Sequence, residues 1–309
     1  MIPAKRWRSW VAVTLLGSCL PLGARAAEPK VSPADTAALR ALEQRVRAAA
    51  RKVVPAVVAV EGAIQGGGSG ARHSESCGSG VIISADGLVL SQYHVSHMRD
   101  QADPRKSRKP GEHTTVILHD GRRCEAELLG ADRAQDLSLL RLLAPGPYPF
   151  TPLDGKATVR LGDGILKLGH PLGYRPGRPP VVRFGHVLFV DPDTFVADCL
   201  VAGGDSGGPL FDLDGRLVGI IRNSGMPEAV REAAVTARRV DSLFACSTCP
   251  LIRARIDAMR RGEIVSEDRA ARHQPADAPG KAAVLPVERW SQGATTRAAY
   301  RDAVRPARS

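Results

Sequence analysis

The 309-residue sequence is defined first by what it lacks. No segment repeats at a period of roughly 20–50 residues, which argues against solenoids and propellers. No regular alternation of strands and helices runs through it, which argues against a parallel α/β sheet. The only long apolar run, Trp10 to Leu22, is too short for a membrane-spanning helix, so no integral membrane span is expected. His97, His113, His119, His170 and His186 are scattered without metal-ligand spacing. They read as ordinary loop or strand residues, and neither a metal nor a cofactor is expected.

What is present begins with an export signal over residues 1–26. Lys5, Arg6 and Arg8 precede the apolar run, and Ala24-Arg25-Ala26 forms an A-x-A cleavage site. The expected location is therefore periplasmic or secreted. Leu16-Gly17-Ser18-Cys19 also resembles a lipoprotein box, in which Cys19 would carry a lipid anchor. Removing Lys5, Arg6, Arg8 and Arg25, four positive charges and no acids, lowers the net charge from +11 to +7. That excess is modest and dispersed, so no nucleic-acid partner is expected. Beyond Cys19 the sequence holds Cys77, Cys124, Cys199, Cys246 and Cys249. An oxidising compartment permits disulfides, and the odd number leaves at least one thiol without an intrachain mate. Cys246-Ser247-Thr248-Cys249 has C-x-x-C spacing without a thioredoxin-like context. A local disulfide, or pairing with Cys199 or Cys77, is the expected use.

Residues 27–52 read as a leading helical segment. Ser32 and Pro33 suit a helix start, and Ala38, Leu39, Leu42, Val46 and Ala50 recur at helical spacing. The helix would pack on the domain behind it or form an oligomer contact. From Val53 onward the sequence becomes a series of short β-branched runs punctuated by turns. Ala85-Asp86-Gly87, His119-Asp120-Gly121 and Leu213-Asp214-Gly215 are hairpin signals. Many short strands joined by tight turns predict an antiparallel barrel or sandwich.

One stretch organises this pattern: Gly203-Gly204-Asp205-Ser206-Gly207-Gly208-Pro209-Leu210. Glycines allow the backbone to turn tightly and aim successive N–H groups at one point. A nucleophilic serine needs such donors to hold the developing oxyanion. It also needs a base to take its proton, and a carboxylate to orient that base. His94 and Asp136 each stand at a strand end or turn upstream. The order His, Asp, Ser is that of the chymotrypsin-like arrangement.

Four motifs in this order resemble the HtrA/DegP-type trypsin-like serine proteases. Gly78-Ser79-Gly80-Val81-Ile82-Ile83-Ser84-Ala85-Asp86-Gly87-Leu88-Val89-Leu90-Ser91, running into His94-Val95, resembles their histidine segment. Asp120-Gly121-Arg122, then Ala131-Asp132 and Asp136-Leu137-Ser138-Leu139-Leu140, is similar to their aspartate segment. Gly169-His170-Pro171-Leu172-Gly173 resembles their Gly-Asn-Pro-Phe-Gly. Gly207-Gly208-Pro209-Leu210 with Asp214-Gly215-Arg216-Leu217-Val218-Gly219-Ile220 resembles their serine segment and its hairpin.

The resemblance runs from about Val53 to Leu243. It implies an all-β, chymotrypsin-like pair of six-stranded antiparallel barrels over residues 53–250. It further implies His94 as base, Asp136 as its orienter and Ser206 as nucleophile. The oxyanion hole would come from the backbone N–H groups of Gly204 and Ser206, with Asp205 between them. Asp132 is the competing carboxylate. Leu200, six residues before the serine, would line the floor of the substrate pocket, with Val235, Thr236 and Ala237 as one wall. A small or medium apolar residue would then be preferred at the cleaved position, with Asp198 as the nearby acid that could alter this.

The sequence departs from the family in two ways. The family has Asn before the serine, and here it is Asp205. In digestive trypsin-like enzymes that aspartate pairs with a chain end freed by cleavage. Val53-Val54, after Arg51-Lys52, offers such a site, although Pro55-Ala56 does not match the Gly-Gly that follows it there. An uncleaved chain would have to satisfy Asp205 otherwise, for instance with an arginine. Residues 251–309 do not read as a PDZ domain. They predict a short basic helix over Leu251 to Arg261, then an Ala/Pro/Arg-rich tail. The expected partners are protein or peptide substrates, with self-association possible. The alternatives are a catalytically silent chaperone-like or peptide-binding module and a lipid-anchored scaffold.

Overall fold

The computed structural model describes residues 33–63, 75–97, 108–222 and 244–265. The export segment, the proposed pocket wall Val235-Thr236-Ala237 and the tail beyond Val265 lie outside these residues.

Helix α1 (Pro33–Val53) leads the chain. A single 3-10 turn (Val54–Ala56) follows, and only then does β1 (Val57–Ala63) begin. The strand expected from Val53 thus starts four residues later. Pro55, which has no N–H for a sheet ladder, sits in the turn instead.

The first barrel comprises β1, β2 (Glu75–Ile82), β3 (Leu88–Ser91), β4 (His113–Ile117), β5 (Arg123–Asp132) and β6 (Leu137–Leu142). Its order is β5-β4-β1-β2-β3-β6, and β6 closes it by pairing antiparallel with β5. Helix α2 (Tyr93–Ser96) is one turn inserted after β3. The second barrel comprises β7 (Gly164–Gly169), β8 (Val181–Val190), β9 (Thr194–Ala197), β10 (Pro209–Asp212), β11 (Leu217–Arg222) and β12 (Phe244–Thr248), in closed order β10-β11-β12-β9-β8-β7. Helix α3 (Cys249–Arg260) begins two residues before the expected start, because Thr248 caps it with Oγ1 accepting from Leu251 N–H and Pro250 suits the first turn. The expected tail then contributes a strand. β13 (Ile264–Val265) lies parallel against β5, pairing Ile264 with Ala131.

Period-two alternation sorts the side chains into three cores. Val58, Val60, Val89, Leu140 and Leu142 fill the first barrel. Ile165, Val187, Phe195, Leu210 and Cys246 fill the second. The intervening positions on the same strands, Val57, Leu88, Leu90, Leu139, Leu166, Leu168 and Phe211, pack between the barrels. Ala49 and Val53 of α1 and Ile252, Ile256 and Met259 of α3 join that third core. The strands that line the seam, such as β3 and β7, therefore bury both faces, and the seam between the barrels is itself apolar.

No disulfide joins the described cysteines. The expected local bridge is absent: Cys246 points into the second barrel from β12, and Cys249 opens α3 with its thiol donating to Leu217 O at 3.1 Å. Burial pushes the Cys249 thiol up to about 12, so it remains a protonated donor.

Candidate active site

The first barrel supplies a histidine and a carboxylate from two adjacent strand ends. β3 and β6 pair through Ser91 and Ser138, which brings α2 beside the turn before β6. There Asp136 takes a left-handed backbone, with φ 51°. Aspartate tolerates this region better than most residues, and such geometry is concentrated at functional positions. Its carboxylate then accepts from three donors. His94 Nδ1 is 2.7 Å from Oδ2, Gln92 Nε2 donates to Oδ2 at 2.9 Å, and His94 N–H donates to Oδ1 at 3.0 Å. The Asp136 carbonyl also accepts from Tyr93 N–H at 3.1 Å. The imidazole is thereby fixed through Nδ1, which leaves Nε2 facing outward.

The competing Asp132 is elsewhere. It is buried at the end of β5, where Oδ1 accepts from Gln135 N–H at 3.0 Å and Oδ2 faces Arg255 of α3 at 3.4 Å. Gln92 was not apparent as a site residue from the sequence, although its place two residues before the histidine was the available signal.

The second barrel supplies the serine loop. Gly204 and Gly207 have φ +92° and +79°, which glycine adopts without strain. The chain turns so that Asp205 N–H points inward to Ala202 O at 3.0 Å. The N–H groups on either side, of Gly204 and Ser206, donate to nothing among the described residues. Ser206 Oγ and His94 Nε2 likewise have no hydrogen-bond partner there. Ser79 ties the loop to the first barrel: its hydroxyl donates to Gly204 O at 2.7 Å, and its N–H to Ser206 O at 2.7 Å. The same hydroxyl accepts from His170 N–H at 2.8 Å. Ser91 Oγ in turn donates to Ser79 O at 2.8 Å.

Asp205 is fully buried, and its Oδ2 is crowded with donors. Arg183 Nη1 donates at 2.7 Å, Ala202 N–H at 2.8 Å, and the Lys167 ammonium stands against the same oxygen. Lys167 also donates to Leu200 O at 3.0 Å. Burial pushes the lysine's pKa down to about 8, against the pull of the carboxylate. An arginine partner for Asp205 agrees with the expectation. The lysine has one sequence signal, a single charge inside Gly164-Ile165-Leu166-Lys167-Leu168-Gly169.

The Leu200 side chain is 55% exposed. Asp198 Oδ1 is occupied by His186 N–H at 2.7 Å. His170 has a buried ring with neither nitrogen hydrogen-bonded among the described residues, and desolvation lowers its pKa to about 4. Among the described residues no group of three or more His, Cys, Asp or Glu could hold a metal ion, and no helix is long and apolar enough to cross a membrane.

Two closed barrels joined by an apolar seam, with a histidine–carboxylate pair on one and a glycine-lined serine on the other, define the chymotrypsin-like class. Residues 78–220 match the family described as the trypsin-like peptidase domain. The chain is 33% identical over 184 residues to a protein of Arabidopsis thaliana named as a Do-like protease 14, spanning 56% of this chain and 41% of that one. It is 32% identical over 159 residues to a protein of Pseudomonas fulva named as a DegP-like periplasmic serine endoprotease, spanning 50% of this chain and 30% of that one. The chain thus spans well under half the length of these relatives. The crystal structure of a serine endoprotease from Yersinia pestis shares the fold, with a TM-score of 0.52 and 24% identity over 70% of this chain and 66% of that one.

Proposed function

We propose that this protein is an exported serine endopeptidase that cleaves protein substrates through an acyl-enzyme. His94 Nε2 takes the proton from Ser206 Oγ as that oxygen attacks the scissile carbonyl carbon. Asp136 holds the ring by its Nδ1 and stabilises the imidazolium that forms. The carbonyl oxygen, now carrying the electron pair, is received by the N–H groups of Gly204 and Ser206. Collapse of the tetrahedral intermediate expels the amine, which takes its proton from His94. Water then repeats the sequence to release the acid and restore the serine.

The observation that carries this reading is the pairing of unspent groups. Nδ1 of His94 is committed to a carboxylate at 2.7 Å, while Nε2, Ser206 Oγ and two adjacent N–H donors have no partner among the described residues. A fold built for binding alone has no need to leave these four groups unsatisfied. The alcohol–imidazole bond in such sites tightens when substrate closes over it. Leu200, with Val235, Thr236 and Ala237, would set a preference for small or medium apolar residues at the cleaved position. Relatives named as periplasmic and the basic, apolar start of the chain support action in the periplasm.

The test is a fluorophosphonate probe on the intact protein, followed by casein cleavage. Labelling of the wild type, with no labelling and no cleavage by Ser206→Ala, is expected. Cleavage retained by folded Ser206→Ala or His94→Ala would overturn the proposal. A wild type that neither labels nor cleaves would leave the chaperone-like or peptide-binding module.

A further inference from the structure

We propose that Lys167 and Arg183 are positioning residues that clamp Asp205 from inside the second barrel, and so hold the oxyanion donors in working orientation in the uncleaved chain. This rests on the endopeptidase reading above. The clamp follows from register. On β7, Ile165 points into the second barrel while Leu166 and Leu168 face the seam. Alternation therefore sends Lys167 inward, to a position where an apolar side chain is the ordinary choice. Its cross-strand partner on β8 is Arg183. Neighbours in register, both cationic, converge on a single oxygen of a fully buried carboxylate.

A buried lysine is costly, and its presence here matches the carboxylate next to the nucleophile. Without compensation Asp205 would be drawn toward solvent, through the same surface where Gly204 and Ser206 present their N–H groups. With it, Asp205 N–H stays on Ala202 O, its carbonyl accepts from Gly208 N–H at 2.8 Å, and the N–H groups of Gly204 and Ser206 take no partner among the described residues. The lysine's second bond, to Leu200 O, ties the segment entering the loop to the same ammonium.

The segment that a cleavage after Lys52 would free is already in use. Val53 closes helix α1 and is fully buried between the barrels. The cations come from the barrel wall, so the loop needs no new chain end.

The experiment compares Lys167→Met, Asp205→Asn and the double variant, by kcat and KM on a peptide substrate and by fluorophosphonate labelling rate. Asparagine matches aspartate in shape and carries no charge, so it needs no cation. Lys167→Met is expected to lower kcat and the labelling rate by on the order of 10²-fold, the scale of losing an oxyanion donor, with KM changed less than about threefold. The double variant is expected to recover to within about tenfold of wild type, a rescue that loss of packing alone would not show. Intact mass of the labelled wild type should show the Lys52–Val53 bond unbroken. A folded Lys167→Met with wild-type kcat, a folded double variant as slow as Lys167→Met, or labelling confined to chains cut at Lys52–Val53 would each overturn the clamp. Should Lys167→Met not fold, Arg183→Gln, whose side chain is 18% exposed at the barrel rim, carries the comparison. It is expected to lose about tenfold in kcat at unchanged KM, and an unchanged kcat would overturn the proposal. A wild type that never labels would instead remove the endopeptidase reading itself.

Discussion

The hydroxyl of Ser79 in the first barrel donates to the carbonyl of Gly204 in the second at 2.7 Å, and both groups are buried. This bond crosses the seam and anchors the loop that carries Ser206. Ser79→Ala would strand the Gly204 carbonyl and the His170 N–H, each at about 1–3 kcal/mol. The melting temperature is expected to fall by about 5–10 °C, with kcat reduced more than KM is raised. Calorimetry and steady-state kinetics check the two effects separately. A melting temperature within about 1 °C of wild type would show that the bond contributes little.

Asp136→Asn should separate orientation from folding. Asparagine accepts the same left-handed backbone, so the turn before β6 survives. Its amide presents an N–H where the carboxylate received one, which favours the wrong imidazole tautomer. The expected loss in kcat is on the order of 10³–10⁴-fold with unchanged circular dichroism. A loss below about tenfold would show that Asp136 does not orient His94.

Two buried histidines make the fold acid-sensitive. Desolvation lowers His97 and His170 to about 4, from an ordinary value near 6.5. Between those values the unfolded chain takes up protons that the folded chain refuses. Stability is therefore full above about pH 6.5 and lost as pH falls toward 4, by up to about 3 kcal/mol per histidine. Urea titrations at pH 7 and pH 4.5 measure the loss. His170→Asn, which removes the ionisable ring, should reduce the slope by about one proton. An unchanged slope would assign the acid sensitivity to other groups.

Gly207→Ala should break the seam. A Cβ there would stand 2.3 Å from Ser79 O, 2.6 Å from Ser91 Oγ and 3.0 Å from Gln92 N, at a φ of +79°. Steric conflict and backbone strain act together, and a destabilisation above about 3 kcal/mol is expected by urea unfolding. A variant within about 1 kcal/mol of wild type would mean that the two barrels separate more readily than their packing implies.

The elements most legible in the sequence were those whose signals are local. The Asp-Gly turns, the run of short strands between them and the leading helix follow from turn chemistry and periodicity. Elsewhere long-range packing overrode the local signals. Val53 and Val54 are β-branched, yet helix α1 runs through Val53 because that side chain is buried against both barrels. Ile264-Val265 looked like the start of a tail until β5 offered an unpaired edge. C-x-x-C spacing suggested a bridge, but the strand-to-helix boundary between Cys246 and Cys249 sends the two thiols to different cores.

The order of His94, Asp136 and Ser206, and the glycines that let one serine stand among N–H donors, were determined by the sequence alone, because backbone freedom and residue chemistry are local properties. Tertiary structure decided which carboxylate meets His94, since Asp132 and Asp136 differ only in where the turn before β6 sends them. It also decided what neutralises Asp205. Lys167 and Arg183 are 16 residues apart in sequence and become neighbours only through the β7–β8 register, which is a property of the closed barrel.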